Sequence, residues 1–382
     1  MGGAAAHVAL LNKHFQAPDF PTLFLSGRSE PSEGDFYGLR APGEIRPALV
    51  PSLRREPDFG RDARTLRDLV RHFRAFQPDL VDTHLSKAGV LGRMAGRIAR
   101  VPHAVHTYHV NIFDGYAWNS SRRALYLRLE RLCAPWSDRL LCLSDDLGEE
   151  LHSLGIGERA QWQTIRLGLE LDRFEASDAQ RAADRAAIRR ELGVTPDAPL
   201  VGVVARLAPV KGVRFLLDAW PFVQREVPGA HLLIAGDGPA RARLEKQSRA
   251  LGLRSSVRFL GLRADVAALY RALDCLALPS LQEGTPVSLI EALAAQTPVV
   301  ASNVGGVSLL VRHEHTGLLV APRDVPALAS ALVRALRAPM ESAKWARAGC
   351  ELVRREWNVA RLVEEHRALY AGLRNGANDP PR

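Results

Sequence analysis

Two carboxylates, Glu283 and Glu291, bracket the stretch Glu283-Gly-Thr-Pro-Val-Ser-Leu-Ile-Glu291. Thr285 can cap a helix starting at Pro286, which leaves backbone amides free for an anion. Glu283 then sits on the loop before that helix and Glu291 in its second turn. A carboxylate within VSLIEALAA is costly to bury unless it is paired or ligand-bound. Seventy-odd residues earlier, PLVGVVAR ends in Arg206, and Lys211 follows five residues later before a helical pattern. Arg grips two oxygens and Lys acts as a point charge, so the two can be aimed at a diphosphate. Between them lies GDGPARARLE, residues 236–245, with Gly236 and Gly238 in a strand-to-helix turn. A dinucleotide fingerprint needs a third glycine where Arg241 stands, so that reading fails. A tight turn with Pro239 at the first helical position remains. Each motif alone has an ordinary reading: surface cations beside a turn, a plain turn, a satisfied glutamate on a helix face.

Positioning these residues requires a repeated unit of short apolar strand, turn and helix. Pro78–His84, His103–His109 and Arg139–Ser144 read as strands in the first half, with a helix over Lys87–Ala99. In the second half Pro199–Arg206, Ala230–Gly236, Ser256–Gly261, Cys275–Ser280 and Thr297–Ser302 are strand-like. Near-continuous apolar strands alternating with helices predict parallel sheets covered on both faces, hence an α/β fold of two Rossmann-like domains. In such sheets ligands bind beyond the C-terminal ends of the strands, where all three loops lie.

Composition narrows the class. The chain has 382 residues, 47% hydrophobic and 24% charged, which suits a globular protein of two to three domains. No apolar run approaches the roughly 18 to 20 residues that span a bilayer. The start of the chain does not read as a secretory signal, and the four cysteines are scattered without a C-x-x-C pair. A cytoplasmic location follows as an expectation, without a structural zinc or disulfide framework. The net charge of +9 is uneven: residues 1–175 carry 23 basic and 22 acidic side chains, residues 176–382 carry 28 and 20. That favours acidic partners such as nucleotide phosphates or anionic lipid. At 6% aromatic residues and with no RNA- or DNA-binding motif, nucleic acid is not expected.

Taken in order, Arg206 and Lys211, the GDGP turn, VRFLG, the Glu283–Glu291 pair and the VGG of Val304–Gly306 before HTGLLV resemble the retaining, nucleotide-sugar-dependent glycosyltransferases of group 1 (family 4). The first half resembles bacterial members of that family through THLSKAGVLGRMAGRIARVPHAVHTYH, with its HxxKAG loop and His109, and through RLGLELDRF at Arg166–Phe174. Two departures stand out: Gln296 replaces the usual glycine before TPVV, and Val307-Ser308-Leu309-Leu310 lacks an acidic residue.

The resemblance implies a GT-B fold: an acceptor-side domain over 1–175, a donor-binding domain over 176–355, and a C-terminal helix over 356–374 that packs back towards the first domain. The two domains would face a central cleft, and a polar tail would run over 375–382. It implies front-face transfer with retention, from a UDP- or GDP-sugar to a glycan or lipid-linked acceptor, in cell-surface polysaccharide or glycolipid synthesis. Arg206 and Lys211 would stabilise the leaving diphosphate, Glu283 the donor sugar and Glu291 the ribose. Gly236, Gly238, Gly284, Thr285, Pro286 and Val287 would line the donor. His109 would reach the donor sugar, while His84 and Lys87 would face the acceptor or simply structure a turn. No metal or other cofactor is implied. A sugar-nucleotide epimerase and a non-catalytic nucleotide-sugar-binding protein are the alternatives.

Two further expectations concern the first domain. Arg61, Arg64, Arg67, Arg71 and Arg74 recur on a helix with Leu66, Leu69, Val70 and Phe73. Such a helix either rests on an anionic membrane, giving peripheral attachment, or packs its apolar face into the core. At the start, Met1–Ala4 reads as the glycine loop that follows a first β-strand in this family, and His7–His14 as the helix after it. The expectation is that the strand itself is missing from the chain.

Overall fold

The computed structural model describes residues 3–15, 20–27, 47–54, 56–113 and 120–376. The loop Asn111–Ser121, on which acceptor choice would depend in a family member, therefore lies partly outside the described residues, and the 377–382 tail lies wholly outside them. The chain divides into two compact units, Met1–Leu169 with Val359–Arg382, and Glu170–Asn358. The first crossing falls before the junction placed at 175/176 because Phe174 is fully buried in the second unit, its ring 6.1 Å from that of Tyr270.

The first unit holds β1 (Leu25–Ser26), β2 (Ala48–Leu49), β3 (Leu80–His84), β4 (His103–Tyr108), β5 (Arg139–Cys142) and β6 (Trp162–Thr164). The last four make a parallel sheet in the order β3-β4-β5-β6, while β1 and β2 pair in a separate two-stranded ladder. Gly3 and Ala4, read as a loop, are instead the first turn of a helix, Gly3–His14. The C-terminal helix Val359–Gly376 belongs to this unit, where Leu362 and Leu369 join a core with Leu11, Val105, Leu141 and Ile165.

The arginine-rich helix Phe59–Phe76 resolves one alternative. Leu69, Val70 and Phe73 are buried against Val81, Leu91 and Ala95, so its apolar face is core and cannot rest on lipid. Arg61, Arg64, Arg67, Arg71 and Arg74 remain exposed.

The second unit contains β7 (Leu200–Val204), β8 (His231–Ala235), β9 (Val257–Gly261), β10 (Cys275–Leu278), β11 (Val299–Ser302) and β12 (Leu318–Val320). They form one parallel sheet in the order β12-β11-β10-β7-β8-β9. Val201, Val203, Leu232 and Ile234 pack with Leu216, Trp220, Leu328 and Leu332 of the helices Val213–Glu226 and Val325–Arg337. Strands buried on both faces explain why Leu, Val and Ile run through them without polar alternation. Chain order reverses between β7 and β10, which is the switch point of a doubly wound sheet, and loops from those two strands must diverge there.

Gln296 adopts the left-handed conformation (φ 55°) that the expected glycine would take freely, so the helix before β11 still ends there.

A buried ion pair fixes the helices of the first unit. Arg93 reaches Glu130 at 2.5 Å with both side chains fully buried, and the Tyr108 hydroxyl donates to the same carboxylate at 2.7 Å. Removing one charge strands the other, at a cost of about 3–5 kcal/mol. Glu130→Gln should therefore lose stability of that order in urea unfolding, whereas the paired change Arg93→Met with Glu130→Leu should recover most of it. Equal losses in both would show that packing, not the stranded charge, sets the cost.

Candidate active site

At the switch point the loop 279–285 is held between two other backbones. On one side Gly212 (φ 62°) comes so close that a Cβ would stand 1.9 Å from the Pro279 carbonyl oxygen. The Leu281 amide donates to the Val210 carbonyl across the same contact at 2.8 Å. On the other side Gly305 (φ 47°) would place a Cβ 1.9 Å from the Glu283 carbonyl oxygen, and the Gly306 amide donates to the Gly284 carbonyl at 3.0 Å. Only glycine tolerates both the positive φ and the approach.

Within that clamp Lys211 Nζ meets both carboxylate oxygens of Glu283, at 2.7 and 2.8 Å, and Ser280 Oγ donates to Oε1 at 2.6 Å. The Glu283 side chain is 6% exposed and that of Lys211 25%. The two residues expected to await a ligand separately are thus joined to each other. Arg206, at the end of β7, keeps a buried Nε with no hydrogen-bond partner among the described residues. An unpaired guanidinium nitrogen on the loop that follows β7 favours an anion.

The helix after the loop runs Val287–Ala294, with Pro286 at its N-cap position and no side-chain cap. Thr285 does not cap it: the helix starts one residue later than expected, and Thr285 lies before the cap. The uncapped N-terminus keeps the amide dipoles unscreened. Glu291, 1% exposed, has a different environment from Glu283. It accepts from the Tyr270 hydroxyl at 2.9 Å and from Arg173 at 3.1 Å. Arg173 also lies over the Phe174 ring, 4.7 Å from its centroid.

In the GDGP turn, the Gly236 amide donates to the Gly261 carbonyl, and the Gly238 amide donates to Asp237 Oδ1 at 2.7 Å. That bond, followed by the one from Arg241, holds the Asp237 carboxyl below its ordinary range. The helix begins at Arg241 with Ala240 at its cap, so Pro239 precedes the helix and is not its first residue.

The first unit has its own cluster at the ends of β3 and β4. His84 Nδ1 lies 3.1 Å from His109 Nε2, and His84 Nε2 is 3.5 Å from Asp82. The Tyr370 hydroxyl, from the C-terminal helix, donates to Asp82 at 2.6 Å. His7 and His366 are fully buried and complete the group, with the His7 ring 5.2–5.6 Å from those of His109, His84 and His366. Lys87 stands apart from it, bound to Asp62 at 2.5 Å and to the Glu56 carbonyl. Among the described residues no group of His, Cys, Asp or Glu side chains is arranged to hold a metal ion. Ser280, Arg173, Tyr270, Asp82, His7, His366 and Tyr370 were not singled out by the sequence. Only Asp82, two residues before His84 on a strand and so on the same face, carried a readable signal.

Residues 198–338 match the family model described as glycosyl transferases group 1, and residues 1–173 match that of glycosyltransferase family 4. The chain is 30% identical over 298 residues to the Escherichia coli UDP-Gal:alpha-D-GlcNAc-diphosphoundecaprenol alpha-1,3-galactosyltransferase, covering 76% of this chain and 74% of that enzyme. It is 32% identical to the D-inositol 3-phosphate glycosyltransferase of Mycolicibacterium paratuberculosis over 69% of this chain, which spans only 60% of that relative. Among solved structures, sucrose-phosphate synthase from Thermosynechococcus elongatus superposes with a TM-score of 0.82 at 26% identity, covering 98% of this chain and 94% of that one. The Anabaena protein HepE, solved with UDP and glucose, gives 0.81 at 24% identity over 97% and 96% of the two chains, a likeness of fold.

Burial is the main cause that lowers the histidines of the cluster. His109 is brought down to about 3, with His84 adding to the effect, and His7 and His366 are lowered as well. An unfolded imidazole takes its proton near pH 6.5. Below that pH the unfolded chain binds protons that the folded chain refuses, so stability falls as pH drops from 6.5 towards 3 and is unaffected above it. Urea unfolding should show this decline between pH 7 and 5, and His7→Phe should make it shallower. An unchanged slope in that variant would show that His7 is not buried in its neutral form.

Proposed function

The chain belongs to the group 1, family 4 glycosyltransferases, enzymes that move a sugar from a nucleotide sugar, and from that premise we propose that it transfers a hexose with retention from a UDP-sugar to a lipid-linked acceptor in cell-surface glycan synthesis. The observation that carries this reading is the Lys211–Glu283 pair clamped at the switch point of the second unit's sheet, with Arg206, on the same connection after β7 as Lys211, keeping an Nε without a hydrogen-bond partner among the described residues. The specificity in the name of the E. coli relative, UDP-galactose onto a diphosphoundecaprenol-linked sugar, supports the choice of base and acceptor class.

In this mechanism the bond from the anomeric carbon to the diphosphate oxygen breaks while the acceptor hydroxyl attacks from the same face. The hydroxyl proton passes to the departing phosphate oxygen, so charge accumulates and is neutralised on one group. Lys211, held by Glu283 before substrate arrives, and Arg206 stabilise that charge. The uncapped amides at Val287, with Gly284 and Thr285, contribute their dipoles to the same anion. Glu283 accepts hydrogen bonds from the sugar's hydroxyls, and its grip on Lys211 keeps both groups oriented. Glu291 takes the ribose by sharing the carboxylate that Arg173 and Tyr270 now occupy. We assign His109 to the donor sugar.

A thermal-shift and product panel of UDP- and GDP-sugars tests the reading. A UDP-hexose at 100 times its Kd should add about 2.7 kcal/mol of stability. Released UDP should appear only with an acceptor, and the product should keep the donor's anomeric configuration. Lys211→Ala should cut turnover by at least 100-fold, the scale of losing one preorganised charge stabiliser. It should also lower Tm, because it strands a nearly buried carboxylate. Preference for GDP-sugars, inversion, or wild-type turnover in Lys211→Ala would each overturn the assignment.

The same reading places the enzyme at an anionic membrane face. No helix among the described residues is long and apolar enough to cross a membrane. The arginine row of helix Phe59–Phe76 is exposed, and Phe59 before it is 96% exposed. With the apolar face of that helix in the core, attachment would rest on charge, at about 1 kcal/mol per basic side chain near the surface. Vesicles containing anionic lipid should therefore sediment the protein at low salt and release it at high salt, and Arg64→Glu with Arg67→Glu and Arg71→Glu should abolish binding. Salt-insensitive binding, or none, would refute it.

A further inference from the structure

The carboxylate assigned to the ribose has no open face. The Glu291 side chain is 2% exposed, and each of its oxygens already has a donor. The Arg173 guanidinium stands on Oε1 at 3.1 Å and the Tyr270 hydroxyl on Oε2 at 2.9 Å. The two donors differ in freedom. Tyr270 is fully buried on the helix Val266–Ala272, packed against the equally buried Phe174. Arg173 has a side chain 47% exposed, its guanidinium resting on the Phe174 ring. The backbone beneath that side chain is held. Arg173 belongs to the turn Asp172–Phe174, whose last residue is core, and Arg271 donates to the Arg173 and Phe174 carbonyls at 3.4 Å. Arg271 is itself fixed by Asp184 at 2.6 Å. Of the two groups on Glu291, Arg173 is thus the one that can swing its head into water without opening the core.

We propose that Arg173 is an internal competitor of the donor's ribose: it occupies Glu291 Oε1 in the ligand-free enzyme, and a ribose hydroxyl takes its place when the nucleotide binds, while Tyr270 stays on Oε2. The proposal rests on the assignment of Glu291 to the ribose made above and adds what that assignment requires of its neighbours. The exchange is feasible because the two sides are unequal. A half-exposed ion pair contributes little, and a guanidinium that leaves it is taken up by water. A hydroxyl that donates to a buried carboxylate makes a charge-assisted hydrogen bond in a dry place. The exchange also answers the burial problem. An empty site would leave a buried carboxylate one donor short, and Arg173 fills that position whenever the nucleotide is absent. Part of the intrinsic affinity for the nucleotide is therefore used to displace the arginine. On product release the arginine returns, so UDP leaves more readily than it would from a bare carboxylate. Because Arg173 lies on the segment just past the crossing at Leu169/Glu170, ribose binding also breaks the tie between that segment and the site helix.

Calorimetric titration of the full-length protein with UDP and with its 2′,3′-dideoxy analogue tests the competition. Only UDP has a hydroxyl to exchange for the arginine. In Arg173→Ala the preference for UDP over the analogue should therefore rise about 3-fold, the scale of a half-exposed ion pair. Loss of the positive charge weakens both nucleotides alike, and their ratio removes that effect. A residue that merely braced the site would lower the preference or leave it unchanged, and either result would overturn the proposal. The wild-type protein gives a second test that does not depend on how the variant folds. In a crystal grown with UDP, the Arg173 guanidinium should be off Oε1 and a ribose hydroxyl within hydrogen-bond distance of it. An arginine still paired with Glu291 in that complex would sink the competition. Glu291→Gln separates the two assignments: it should shrink the wild-type preference for UDP over the analogue about 5-fold, as a charged acceptor becomes a neutral one. An undiminished preference there would remove the ribose from Glu291 and the competition with it, leaving the Lys211–Glu283 assignment in place. A diminished preference without the rise in Arg173→Ala would overturn the competition alone.

Discussion

The second unit depends on the close approach of three backbones at the C-terminal ends of its strands. Gly212 presses on the Pro279 carbonyl and Gly305 on the Glu283 carbonyl, so the loop that carries Glu283 has a neighbour on each side. Main-chain hydrogen bonds at Leu281 and Gly306 close both contacts. This is why a short loop can hold a nearly buried carboxylate against a lysine from another strand: little conformational freedom remains to be lost when a ligand arrives. Any side chain at either glycine would push Glu283 out of register with Lys211. The sheet supplies the divergence of loops at its switch point, and the glycines convert that divergence into a fixed site.

The two glutamates of one motif have separate tasks because the helix between them turns one of them inward. Glu283 precedes the helix and remains within reach of a ligand. Glu291, in the second turn, is buried against Tyr270 and Arg173. Arg173 belongs to the segment just past the crossing into the second unit, and Tyr270 to the helix Val266–Ala272. A carboxylate there ties the entry segment to the site helix. Burial without those two donors would cost several kcal/mol, so Tyr270 and Arg173 are as much a part of the motif as its own second glutamate.

Much of this was legible in the sequence, and the limits are physical. Near-continuous apolar runs marked β7 to β11 because strands buried on both faces have no polar alternation to confuse the period. β12, at the sheet edge and three residues long, has too few residues to show one. The order of Arg206, Lys211, the glycine turn and Glu283 identified the family, since loops at one sheet end must appear in strand order. The pairing of Lys211 with Glu283 was not readable, because residues 72 apart meet only through the register of β7 on β10. Helix starts were misplaced at Thr285 and Pro239 because proline fits both the N-cap region and the first turn, and only the backbone hydrogen bonds decide between them.

The histidine cluster shows where spacing alone stops. His84 and His109 could be singled out as polar residues at strand ends, and Asp82 shares a face with His84 by simple alternation. His7, His366 and Tyr370 come from helices at opposite ends of the chain, and no local pattern links them to β3. Their presence costs burial free energy: among the described residues His7 has neither ring nitrogen paired, and His366 leaves Nε2 without a partner. A core of that kind would be better filled by leucine if packing were its only task. Burial keeps His7, His109 and His366 below the ordinary imidazole value, so the region around Asp82 accepts protons reluctantly.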